Sequence, residues 1–101
     1  MLALASMQLH FNPFENESVV QIPRNLAWQA IPVSRSRGEY YVKLLKQNCP
    51  EEFKMDEFQE GLTKEQFQQI VELRKLFLRI TRGGRGYKEK RIIHILKTQG
   101  I

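Results

Sequence analysis

Apolar and polar residues change their spacing several times along this chain, and each change marks an element. The sharpest change is at Thr63. Thr63 and Gln66 stand three apart, the spacing of a capping box, with Leu62 and Phe67 placed as the accompanying hydrophobic staple. From about Lys64 to Ile80 the apolar residues are Phe67, Ile70, Val71, Leu73, Leu76, Phe77, Leu78 and Ile80. At about 100° per residue they sweep more than half of a helix circumference, so the pattern predicts a central helix with neighbours on two sides. Arg74 falls inside that arc. It either meets a carboxylate there or reaches out of the arc along its stem.

The Thr81–Gly86 stretch breaks this helix, and a second one is predicted from Tyr87 to Gln99, stopped by Gly100. Its faces separate cleanly. Ile92, Ile93, Ile95 and Leu96 cluster on one side, and Tyr87, Lys90, Arg91, His94 and Thr98 on the other.

The first half is less regular. Met7–Phe11 alternates apolar and polar residues and Ser18–Ile22 is β-branched, so the two read as a small antiparallel pair of strands around the turn at Asn12-Pro13. Leu26–Ile31 reads as a helical turn or a third strand, ended by Pro32. Ser34–Gly38 reads as a polar, basic break before a short helix at Glu39–Gln47. Pro50 then opens another short helix, stopped by Gly61, with Phe53 and Phe58 as its buried anchors. Together these elements predict an α+β fold, mainly helical. A small N-terminal β element and two short helices precede a C-terminal helix-turn-helix-like pair, all in one domain over residues 1–101.

Composition narrows the class further. The chain has 101 residues, 42% hydrophobic and 27% charged, which suits a globular domain and not a disordered one. Cys49 is the only cysteine, so no intramolecular disulfide and no cysteine zinc site is expected. The first seven residues are apolar but lack a basic leader, so no signal peptide is expected. No apolar run nears the roughly 18–20 residues that span a bilayer. A cytoplasmic protein is the expectation, or a nuclear one in a eukaryote, with no membrane partner and no cofactor.

Charge changes the picture more than composition does. Residues 1–50 carry a net +2, residues 51–71 a net −4, and residues 72–101 a net +7. The acidic middle either folds against the basic end or faces away from it. Arg79, Arg82, Arg85, Lys88, Lys90 and Arg91 fall within thirteen residues, interrupted by three glycines that feed a helix N-terminus. Glycine lets a ligand approach the backbone, and free helix N–H groups favour an anion. The glycine-lysine-serine/threonine ending of a Walker loop is absent. Arg35 and Arg37 form a smaller basic site that would extend a groove if the fold brought it to the C-terminal patch.

These residues point to a small non-catalytic nucleic-acid binder, a regulator or accessory subunit, with DNA and RNA both open. Arg79, Arg82, Arg85, Lys88, Lys90 and Arg91 would hold phosphates. Tyr87 and His94 would stack on a base or bond to a phosphate. Arg35 and Arg37 complete the set. The alternative is a protein-interaction module or homodimer docking through the apolar face of the Lys64–Ile80 helix. Catalysis has little to stand on. His10 and His94 lie far apart, Cys49 precedes a proline at a helix junction, and no motif for a metal is present. A small basic ribonuclease built on His94, Tyr87 and Arg91 is the one enzyme reading left.

Overall fold

The computed structural model describes residues 9–80 and 84–101. In chain order the elements are β1 (Gln21–Ile22), α1 (Arg24–Ala30), α2 (Arg35–Asn48), β2 (Leu62–Thr63), α3 (Lys64–Arg79) and α4 (Arg85–Gln99). The fold is therefore α+β and mainly helical, with one small two-stranded antiparallel sheet among the described residues.

α3 begins where the side chains dictate. Thr63 accepts from the Gln66 backbone N–H at 3.2 Å, and the Gln66 side chain accepts from the Thr63 N–H at 2.9 Å. Two otherwise orphaned donors are thus satisfied at once. Phe67, Ile70, Leu73 and Phe77 are buried along α3, and Val71 and Leu76 are half-buried. α3 packs against both α2 and α4, and α2 touches α1, α3 and α4. In α4, Ile92 and Leu96 are buried while Ile93 and Ile95 are only half-buried on its flanks. Gly100 ends α4 with a positive φ of 77°, a conformation that favours glycine.

The first half departs from its sequence pattern in four places. Of the Ser18–Ile22 segment only Gln21–Ile22 is strand, and it pairs with Leu62–Thr63 rather than with the Met7–Phe11 segment. Met7 and Gln8 lie outside the described residues. Leu9–Phe11 is not strand, and the His10 N–H instead donates to the Ala30 carbonyl at 2.8 Å, tying it to the end of α1. Leu26–Ala30 takes the helical one of its two readings, within α1, which buries Ala27, Trp28 and Ala30.

Ser34–Gly38 is the start of α2 and not a break: the Ser34 side chain caps it by accepting from the Arg37 N–H at 3.1 Å. Gly38 belongs in this helix because Trp28 lies across it, leaving no room for a Cβ.

Residues 50–61 form turns and not a helix. Phe53 is buried at 2% exposure, but Phe58 stands 88% exposed. The anchor there is polar instead. The buried Gln66 amide donates to the Lys54 carbonyl and accepts from the Gln59 side chain, fastening the loop onto α3. Arg24 adds a second fastening, bonding Glu39 Oε1 at 2.5 Å and the Glu60 carbonyl at 3.1 Å.

One hydrophobic cluster draws side chains from all six elements. No helix among the described residues is long and apolar enough to cross a membrane.

Candidate nucleic-acid interface

The outward face of α4 follows directly from its register. Ile92 and Leu96 fix the buried side, so Tyr87, Lys90, Arg91, His94 and Lys97 all emerge exposed on the opposite side. The Arg91 Nη1 donates to the Tyr87 hydroxyl at 3.2 Å, one helical turn away, and this holds the guanidinium on the surface. Among the described residues the only ion pairs are Arg24–Glu39 and Lys75–Glu72, so no carboxylate neutralises Lys90, Arg91 or Lys97.

A second basic feature opens where α2, α3 and α4 meet. A cleft of about 660 Å³ is lined by Arg37 of α2, Arg74 of α3 and Lys88 of α4, with Ser34 and Gly84 at the starts of α2 and α4. Tyr40, Phe77 and Leu78 form its less polar wall. The Tyr40 hydroxyl donates to Glu89 across this cleft, joining α2 to α4. Burial pushes the Tyr40 phenol well above its ordinary value of 10.0, and the Glu89 carboxylate adds to the rise. Arg74 Nη1 donates to the Tyr41 hydroxyl at 3.0 Å, and its Nε is sealed from solvent without a hydrogen-bond partner among the described residues. No carboxylate among the described residues receives Arg74; a phenol does, and the half-buried side chain reaches the wall of the cleft.

The ten candidate residues thus sort by place. Arg37 and Lys88 share the cleft, and Tyr87, Lys90, Arg91 and His94 share the outward face of α4. Arg35 is not with Arg37. It lines a separate groove with Arg24, Glu39 and Glu60. Arg79 is exposed at the last residue of α3. Arg82 lies outside the described residues, and of Arg85 the structure describes only its backbone at the start of α4. The sequence pattern missed Ser34, Tyr40 and Arg74 as parts of the cleft. Only Arg74 carried a signal, a cation set inside an apolar arc.

The acidic segment lies at the other end of α4. Glu51, Glu52, Asp56 and Glu65 line a groove with Ile101, and a Cβ on Gly100 would sit 2.9 Å from Glu52 Oε1. Fifteen residues of helix, about 20 Å at 1.5 Å per residue, separate the two ends. Glu51, Glu52, Asp56 and Glu65 thus lie away from the basic cleft, beside the last turn of α4 that carries Lys97.

Neither the histidines nor the cysteine gathers chemistry around it. Among the described residues no three histidine, cysteine, aspartate or glutamate side chains group to hold a metal. Cys49 is 1% exposed, and its Sγ–H donates to the Leu96 carbonyl at 3.6 Å. Burial pushes its thiol pKa up, with Glu52 adding to the rise, which is opposite to what a thiolate nucleophile needs.

A scan against protein-family models, a search of curated proteins and a search of solved structures each gave no match to this chain.

Proposed function

We propose that this chain binds nucleic acid without acting on it chemically, and that it holds backbone phosphates on the outward face of α4. The observation that carries this reading is the set of exposed cations Lys90, Arg91 and Lys97 around Tyr87 and His94, unpaired by any carboxylate among the described residues. Such a face attracts polyanions through released counterions, and its flat aromatic and imidazole groups suit contact with bases. The acidic segment meets α4 at Gly100, about 15 Å along the helix from Lys90 but only about 5 Å from Lys97, so the field is least offset at Lys90 and Arg91.

The rival reading, docking through the apolar face of α3, has little surface to use. Phe67, Ile70, Leu73 and Phe77 are covered by the chain's own core, and Leu78, 43% exposed, is the one large hydrophobic of α3 left in the open.

Fluorescence polarisation with single- and double-stranded DNA and RNA probes across a salt series tests the proposal. On duplex DNA the log–log slope of affinity against salt is expected near −0.9 per phosphate contact. The K90E/R91E/K97E variant is expected to lose binding while keeping its helical circular dichroism. Unchanged affinity in that folded variant, or no binding of any probe at low salt, overturns the proposal.

A further inference from the structure

The cleft between α2, α3 and α4 has a construction that the outward face of α4 lacks. It draws one cation from each of three helices, Arg37, Arg74 and Lys88, and its single carboxylate, Glu89, is held by the Tyr40 hydroxyl. The starts of two helices open into it as well. Ser34 caps α2 with its own hydroxyl, but Gly84 gives α4 no side-chain cap, and among the described residues no side chain accepts from the first-turn amides of α4. Chain neighbours aside, no described residue lies within 4 Å of where a Cβ on Gly84 or Gly86 would stand, which leaves room for a ligand to approach this backbone.

Arg74, half-buried, lines the cleft as well: its Nη1 is held by the Tyr41 hydroxyl and its Nε has no acceptor among the described residues, which leaves guanidinium donor capacity unused at the cleft wall. From this we infer that the cleft is a binding site for a phosphomonoester group, held by Arg37, Arg74, Lys88 and the first-turn amides of α4.

The charge balance favours a monoester over a chain phosphodiester. Among the described lining side chains three cations stand against one carboxylate, a net +2 that suits a dianion better than a singly charged diester. Planar guanidinium groups suit such an anion because they offer it paired donors. The volume of about 660 Å³ also exceeds what a phosphate alone occupies, leaving the Tyr40, Phe77 and Leu78 wall for the organic part of the ester. The site stands on the cleft and is independent of the nucleic-acid reading of the outward face. Its phosphomonoester would come either from a small phosphate ester or from the phosphorylated end of a strand.

The experiment is a titration of the ¹⁵N-labelled full chain with inorganic phosphate at constant ionic strength, with chloride as the control. Saturable shifts are expected at the amides of Ser34–Arg37 and Gly84–Lys88, with none from chloride. R37A and K88A are each expected to weaken phosphate by about tenfold, the scale of one charged hydrogen bond; Arg37 is exposed and Lys88 half-buried, and neither belongs to the hydrophobic core.

Adenosine monophosphate and a pair of oligonucleotides, one 5′-phosphorylated and one 5′-hydroxyl, separate the two sources. A preference for the phosphorylated strand that R37A/K88A erases assigns the site to a strand end. Binding of the monophosphate with the two strands indistinguishable assigns it to a small ester. Absence of saturable shifts, shifts confined to Lys90–Lys97, or full phosphate affinity in R37A/K88A overturns the site. Because K90E/R91E/K97E leaves all the cleft cations in place, it should still bind phosphate even if it loses nucleic acid.

Discussion

The indole of Trp28 lies so close to Gly38 that a Cβ at position 38 would sit 2.4 Å from its Cδ2. No real Cβ tolerates that distance, and Trp28 is 4% exposed, so the ring has nowhere to move. This contact joins α1 to α2. In an open helix, replacing glycine with alanine gains about 1 kcal/mol of helix propensity. Here the overpacking outweighs that gain, and Gly38→Ala is expected to destabilise the chain by about 1–3 kcal/mol net. Urea denaturation checks it. A variant as stable as the parent would mean that the ring and helix separate at little cost.

The start of α3 offers a graded test. Thr63→Ala removes one cap and is expected to cost about 1 kcal/mol. Gln66→Ala should cost more, about 2–3 kcal/mol, because it strands the Thr63 N–H and also the Lys54 carbonyl that accepts from the buried amide. The order of the two denaturation midpoints is the readout. If Thr63→Ala proved the costlier, Gln66 would be acting only as a helix cap and not as the fastening of the 54–59 loop.

Two phenylalanines five positions apart should behave in opposite ways. Phe53, 2% exposed, fills the core, and Phe53→Ala is expected to cost about 3–5 kcal/mol. Phe58, 88% exposed, makes no such contribution, and Phe58→Ser should stay within about 0.5 kcal/mol of the parent. A large loss from Phe58→Ser in dilute solution would place that ring against something the monomer does not provide.

Those two rings also show where the sequence was legible. The capping box at Thr63 and the isoleucine register of α4 are local patterns, complete within a few residues, and the structure follows both. Phe53 and Phe58 were read through a helical spacing that residues 50–61 never adopt, because side-chain amides from Gln59 and Gln66 organise that loop instead. The partner of β1 was invisible for another reason: Ile22 pairs with Leu62, far along the chain, and no local pattern encodes that pairing. Gly38 looked like a helix breaker because its purpose lies in Trp28 and not in its own helix. The basic residues were easy to find, but their grouping was not. Arg35 and Arg37 are neighbours in sequence yet line different grooves, while Arg37 and Lys88 come from different helices and share one.

Tyr40 gives the fold a dependence on alkaline pH whose sign is fixed by its environment. Its phenol is half-buried and donates to Glu89, so the folded chain keeps the proton to a pH well above the ordinary 10.0. The unfolded chain releases it near that ordinary value. Above pH 10 the folded state therefore binds more protons than the unfolded one, and stability falls as pH rises toward the folded value. Below pH 10 the full contribution of the Tyr40–Glu89 bond is present. Tyr40→Phe removes both the bond and this titration. The stability difference between parent and Y40F, read from urea midpoints between pH 8 and 11, should thus be constant up to about pH 10 and shrink beyond it. Charges elsewhere in the protein titrate alike in both chains and cancel in the difference. A gap that stayed constant through pH 11 would mean that Tyr40 ionises equally in the folded and unfolded chains, and the bond between α2 and α4 would then not be holding the proton.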